Sequence, residues 1–267
     1  MTLPLSLRTI ATAFAALSLP SATTLAAVIG TATASHVAYD DGWQTGDDGG
    51  TALSFGTWLL TNQGANSGHF IGSSTALAAG NTGADINSSG ESFGLFGHSG
   101  QTANAFRDFG GLTLSVGQTF SLDLAVNFRN GDKGFVLRDS ADADLFIFKV
   151  TADDYLVTTA ATGLGSIGST YSADTEFSLS FTQTSLSGGT WAISRSGGVT
   201  DSDTGTYTGV AENIVVYNSQ TVGAGLPENN LFVNNFKIVP EPGCSSLLVG
   251  SLLVFAARRR RPAGSPA

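Results

Sequence analysis

The sequence is poor in cysteine, methionine, proline and charge, and each shortage closes off a class of protein. The single cysteine, Cys244, lies near the C-terminus and the single methionine is Met1. The long stretch between them therefore holds no disulfide framework, no thiolate metal site and no cysteine nucleophile, and its stability has to come from buried apolar surface. Proline is absent between Pro20 and Pro227, so no proline-rich linker divides that stretch, and it reads as one domain. Charged residues make up only 12% of the chain, and the charge is one-sided. Between Asp40 and Glu241, seven basic residues face twenty-one acidic ones, a net of −14. Nucleic acid and anionic membrane surfaces are poor partners for such a body. Long hydrophobic runs are also missing: the apolar stretches at the two ends fall short of the ~20 residues that span a bilayer comfortably.

What the sequence does contain is alternation. Phe120, Leu122, Leu124, Val126 and Phe128 alternate with Thr119, Ser121, Asp123, Ala125 and Asn127, the period of a half-buried strand. Phe177, Leu179 and Phe181 alternate with polar neighbours, and Trp191 with Ile193 repeats the pattern. Shorter runs of strand-forming composition are SFGLFG, KGFVLR, DLFIFKV, YLVTT, NIVVYN and NNLFVNNFKIV, separated by Gly, Asn, Asp and Ser clusters. Some twelve to fourteen short strands predict an all-β fold, a single antiparallel β-sandwich or jelly roll over residues 35–238. No fixed-period repeat points to a propeller or β-helix. The size and strand number resemble the concanavalin A-like and laminin-G-like sandwiches.

The two ends read differently. Arg8, the apolar run Ile10–Leu19 and the small residues after it form the layout of a secretory signal peptide over residues 1–27, with cleavage permitted after Ala26 or as late as Ala34. At the other end, Cys244 to Ala257 would rise roughly 21 Å as a helix against a hydrocarbon core of about 30 Å, a marginal span. Arg258 to Arg261 follow it, which places the extreme C-terminus, 262–267, in the cytoplasm and the body outside. Val239-Pro240-Glu241-Pro242, the short hydrophobic helix and the block Arg258, Arg259, Arg260 and Arg261, together residues 239–261, resemble a PEP-CTERM sorting signal. That resemblance implies a Gram-negative host that makes extracellular polysaccharide and an exosortase-type membrane enzyme that cuts near the Pro-Glu-Pro. It also implies transient inner-membrane anchoring of the precursor, then release to the cell surface or extracellular matrix.

For the body, candidate sites are few. Trp58 and Trp191 read as core, whereas Trp43 in DDGWQTGDDGG sits in a polar, glycine-rich loop and is the candidate carbohydrate-stacking residue. Asp139, Asp142 and Asp144 form the candidate metal cluster, with calcium as the ion such oxygen-rich loops would hold, although DSADADLF lacks the spacing of an EF-hand. The five glutamates are widely separated, no G-x-S-x-G elbow appears, and His36, His69 and His98 lack metal-ligand spacing. Arg107, Arg129, Arg138 and Arg195 are expected to pair in part with aspartates. The expectation is a non-catalytic exported sandwich that is structural or binds extracellular polysaccharide. The alternatives are a polysaccharide-acting hydrolase, which would pair distant carboxylates in space, and a protein-binding adhesin.

Overall fold

The computed structural model describes residues 29–50, 55–76, 83–219 and 229–240. Fifteen strands and one short 3₁₀ turn, Val37–Tyr39, lie among them, and no helix there is long and apolar enough to cross a membrane. One sheet contains β1 (Gly30–Ala32), β3 (Ser67–Gly72), β4 (Ser92–Gly97), β6 (Gln118–Val126), β11 (Thr175–Ser185), β12 (Gly188–Gly197), β13 (Asp201–Thr208) and β15 (Leu231–Pro240). The other contains β2 (Leu59–Asn62), β5 (Thr102–Asp108), β7 (Asp132–Arg138), β8 (Asp144–Val150), β9 (Tyr155–Thr159), β10 (Gly163–Ser166) and β14 (Asn213–Ser219).

The first sheet runs β13-β12-β11-β6-β15-β4-β3, with β1 also on β15, and the second runs β10-β9-β8-β7-β14-β5-β2. The strand pairs are antiparallel, and the two sheets close on each other as a β-sandwich, as the alternation requires. Phe120, Leu122, Leu124 and Val126 of β6 are buried, as are Phe177, Leu179 and Phe181 opposite them on β11. Between the sheets the phenylalanines meet directly: the Phe120 ring centroid lies 6.1 Å from that of Phe135 on the facing sheet, and equally far from that of Phe181, its own-sheet neighbour on β11. This aromatic layer supplies the apolar burial that stands in for disulfides.

Some boundaries differ from the sequence reading. The alternation breaks after Val126, where β6 ends, and Phe128 is left 46% exposed. The sandwich is wider than 35–238, because Gly30–Ala32 pairs with Phe236–Ile238 and β15 continues through Val239 and Pro240. The first two residues of the sorting motif are therefore ladder residues, Val239 opposite Thr119 and Pro240 opposite Gln118. Glu241, Pro242, Arg258 to Arg261 and the residues read as a leader, 1–27, lie outside the described residues.

The outer face of the first sheet has two halves. Over β4, β15 and β6, the segment 83–88 packs Ala84 and Ile86 onto Ala125 and Phe232, with Phe70 alongside. The other half is open and built of small, mostly hydroxyl residues in register: Thr119, Thr182, Thr190 and Thr206 form one row, Ser121, Ser180, Ala192 and Thr204 the next.

Candidate binding groove

The site forms along the free edge of the first sheet, where β3 is the last strand. Its outer wall is the turn after the 3₁₀ segment. Gly42, at φ +103°, takes a backbone conformation that a side chain rarely tolerates and so reverses the chain between Asp41 and Trp43. The following loop is strapped to Trp58 by two backbone bonds, Gly46 N to Trp58 O at 2.8 Å and Trp58 N to Asp47 O at 3.0 Å. Asp47 also accepts the Gln44 N–H at 2.7 Å.

That strapping turns Trp43 inward. Its indole is only 5% exposed, edge-on to Trp58 at 5.0 Å and to His69 at 5.3 Å, and tilted against Phe93 at 4.8 Å. The expected exposed stacking platform is thus corrected: the loop is polar, but the ring leaves it for the aromatic core because burial of so large an apolar surface outweighs the local polarity. Trp58 and Trp191 are buried, as read. The three tryptophan N–H groups do not behave alike. Trp58 Nε1 donates to the Tyr39 hydroxyl at 3.0 Å, whereas the buried Nε1 of Trp43, like that of Trp191, has no partner among the described residues. An unpaired buried donor costs on the order of 1–3 kcal/mol and calls for an explanation.

Around this indole lies an open groove of about 590 Å³, lined by Asp40, Asp41, Gln44, His69, Phe70 and Glu91 among others. Phe70 owes its position to Gly94, directly opposite on β4, where a Cβ would come within 2.3 Å of the ring's Cζ. His69 Nε2 lies 2.9 Å from the Asn104 carbonyl oxygen, and burial holds its pKa below the ordinary value of 6.5. The neutral ring with its proton on Nε2 therefore donates to Asn104 at neutral pH. Asp40, Asp41, Gln44 and Glu91 are exposed at the rim. The groove thus offers half-buried apolar faces flanked by carboxylates and an amide, a combination suited to holding a ligand with both C–H faces and hydroxyl donors.

The four aspartates of this loop take three roles: Asp40 and Asp41 line the groove, Asp47 holds the loop through Gln44, and Asp48 serves an ion pair. Asp48 turns to Arg107, with a contact of 3.4 Å, and the Arg107 guanidinium stacks 4.9 Å from the Trp58 ring. Burial lowers the Arg107 pKa, and Tyr39 and Asp48 oppose that shift. Arg138 and Arg195 also pair with aspartates, Arg195 with both Asp201 and Asp203. Arg129 instead lies over the rings of Tyr155 and Tyr171.

The candidate metal cluster does not assemble. Asp139 Oδ1 accepts the N–H groups of Ala141 and Ala143, each at 2.9 Å, closing the turn before β8. Asp142 accepts from the Asn213 side chain at 3.2 Å, and Asp144 pairs with Arg138 at 2.7 Å. Each carboxylate has its own local partner, and no group of three metal-binding side chains occurs among the described residues. Sequence reasoning missed His69, Phe70 and Glu91. The run SGHFIG between two polar turn clusters was the available signal for β3, but its alternation is too short to stand out.

No family model and no curated protein matches this sequence. Solved structures with a similar arrangement of strands include a sialidase, at 13% identity and a TM-score of 0.41 over 58% of this chain. They also include alginate lyases from Aplysia kurodai (11%, 0.36, over 60%) and Corynebacterium sp. (13%, 0.34, over 78%). The chain spans 16% of the sialidase's length, but 86% and 92% of the lengths of the two lyases. No family follows from these likenesses. At such identities and scores they carry no argument about ligand or chemistry.

Proposed function

We propose that this is an exported surface or matrix protein, sorted and cut through its C-terminal Val239–Arg261 signal, whose sandwich binds polysaccharide without acting on it. The observation that carries the binding reading is the groove beside β3. There the Phe70 and Ile71 faces adjoin carboxylates and an amide at the rim. A sugar ring has both kinds of surface: C–H patches that pack on an aromatic face, and hydroxyls that donate to carboxylates. Three acidic side chains at the rim, in a chain of net charge −9, favour an uncharged or amino-sugar glycan over a polyuronate.

Affinity electrophoresis of the full chain through gels containing neutral, cationic and anionic polysaccharides tests the binding reading. Retardation by one of the first two classes is expected, and Phe70→Ala should weaken it about tenfold, the loss of one stacking contact. Equal mobility in every gel overturns it. The sorting reading has its own test. Replacing Arg258 to Arg261 with glutamine should leave uncut precursor in the membrane fraction, and unchanged release into the medium counts against it.

A further inference from the structure

One end of the first sheet combines three properties that are rare together in this acidic chain. The first is exposed aliphatic surface. Ile29 is 39% exposed, Leu112 60%, Val116 51% and Leu186 87%. The ladder brings them to the same end: Gly30 lies opposite Ile238 and Gln118 opposite Pro240, and the Gly117 N–H donates to Gln183 O at 2.8 Å beside the β11–β12 turn that carries Leu186. A shallow cavity of about 200 Å³ opens among them, lined by Ile29, Phe109, Leu112, Leu114 and Ile238 in part.

The second property is a scarcity of charge on the first sheet's own segments. Residues 29–39, 109–122, 177–194 and 204–211, the segments that build this end of the sheet, contain no Asp, Glu, Lys or Arg. The charged groups of that end belong mostly to the other sheet and its loops, namely Asp108, Arg138, Asp139, Asp142, Asp144 and Glu212, with Lys237 on β15. Asp108 comes nearest to the tip, its carboxylate accepting the Gly111 N–H at 3.1 Å next to Leu112.

The third is the position of the chain exit. β15 ends at Pro240 within this end, and the apolar segment Cys244–Ala257 begins four residues later. Four residues of fully extended chain reach at most about 14 Å. With Cys244–Ala257 in a bilayer, this end is held against the bilayer surface.

We propose that the tip formed by Ile29, Leu112, Val116 and Leu186 docks the folded body onto the interfacial layer of the lipid bilayer while the C-terminal segment is embedded. The inference rests on the reading of residues 244–257 as a bilayer segment. Docking fixes the orientation of the sandwich, presents the peptide after Pro240 at the membrane face, and adds apolar contact to a segment too short to hold well alone. The lipid contact is apolar rather than electrostatic, which suits a body whose net charge repels anionic headgroups.

Depth measurements on the full chain test it. In a Cys244→Ser background, single substitutions Leu112→Cys, Leu186→Cys, Phe128→Cys and Val254→Cys carry an NBD label, and each protein is reconstituted into phosphatidylcholine vesicles with doxyl-labelled lipid. Phe128 is the control: it is exposed like the others but lies just past the far end of β6, whose Gln118–Val126 span rises about 26 Å. Blue-shifted, quenched emission is expected at 112 and 186, deeper quenching at 254, and water-like unquenched emission at 128. Quenching at 254 with 112 and 186 indistinguishable from 128 overturns the docking and leaves the tail reading standing. Absence of quenching at 254 overturns the tail reading, and the docking falls with it.

Discussion

The backbone N–H of Ala34 donates to Asn234 Oδ1 at 3.0 Å, joining positions 200 residues apart in the chain. Asn234 is fully buried, and its amide nitrogen donates to the carbonyls of Ile86 at 3.0 Å and Glu91 at 2.9 Å. One side chain thus satisfies three backbone groups from the N-terminal strand region, from the segment covering the outer face and from the start of β4. It does so at a bulge, where the pairing of β15 with β6 shifts between Asn234 and Lys237. Asn234→Leu keeps the branched shape but strands the Ala34 N–H, while Ile86 O and Glu91 O each lose one donor and keep another, Asn235 Nδ2 at 3.3 Å and the Ser88 N–H at 2.8 Å. A loss of about 3 kcal/mol is expected in urea unfolding, several times the effect of an ordinary surface substitution.

The same bond bears on processing. Cleavage after Ala34 would remove β1 together with the buried Ala32 and Ala34, whereas cleavage after Ala26 leaves that strand whole. Mass spectrometry of exported protein is therefore expected to find Ala27 at the N-terminus. A mature chain beginning at Ser35 would mean that β15 carries its edge without β1.

Gly94 and Phe70 make a second local test. Gly94→Ala places a methyl where the Phe70 ring lies, with Cζ only 2.3 Å away. The ring must move, which is expected to cost about 1–3 kcal/mol and to weaken glycan retardation along with it. Gly165→Ala, where a Cβ meets nothing closer than 4.0 Å, is the matched control and should leave both unchanged.

The lowered pKa of His69 gives a pH dependence whose sign is fixed by its cause. Burial disfavours the charged ring in the folded state, so the unfolded chain binds the proton more readily. Stability is therefore expected to fall as the pH drops below 6.5, the ordinary histidine value, towards the lower folded pKa. His69→Gln keeps a donor for the Asn104 carbonyl and removes the titration. Urea midpoints measured across this window should fall less steeply in the variant than in the parent, and equal slopes would remove His69 as the cause.

The strands that the sequence reveals most clearly are those with one face in the core. β6, β11 and β12 are legible because every second side chain is apolar, and β4, β7, β8, β9, β14 and β15 because their composition is strand-forming between turn clusters. β13 was hidden. Its Asp201 and Asp203 look like turn residues, yet they pair with the buried Arg195 at the sheet edge, where a strand needs no apolar alternation to be held. The groove was half legible: Trp43 stood out, but the direction of its ring did not.

Alternation at period two is a local property, and it alone determined that this chain is a two-sheet β protein and which residues of its main strands face inward. Neighbourhood is not local. That β15 lies between β6 and β4, that Asn234 reaches Ala34, that Trp43 turns under its own loop and that Asp139, Asp142 and Asp144 stay apart were decided only by the tertiary structure. Pairing between distant strands is selected by the packing of the whole aromatic layer, and no short stretch of sequence records that sum.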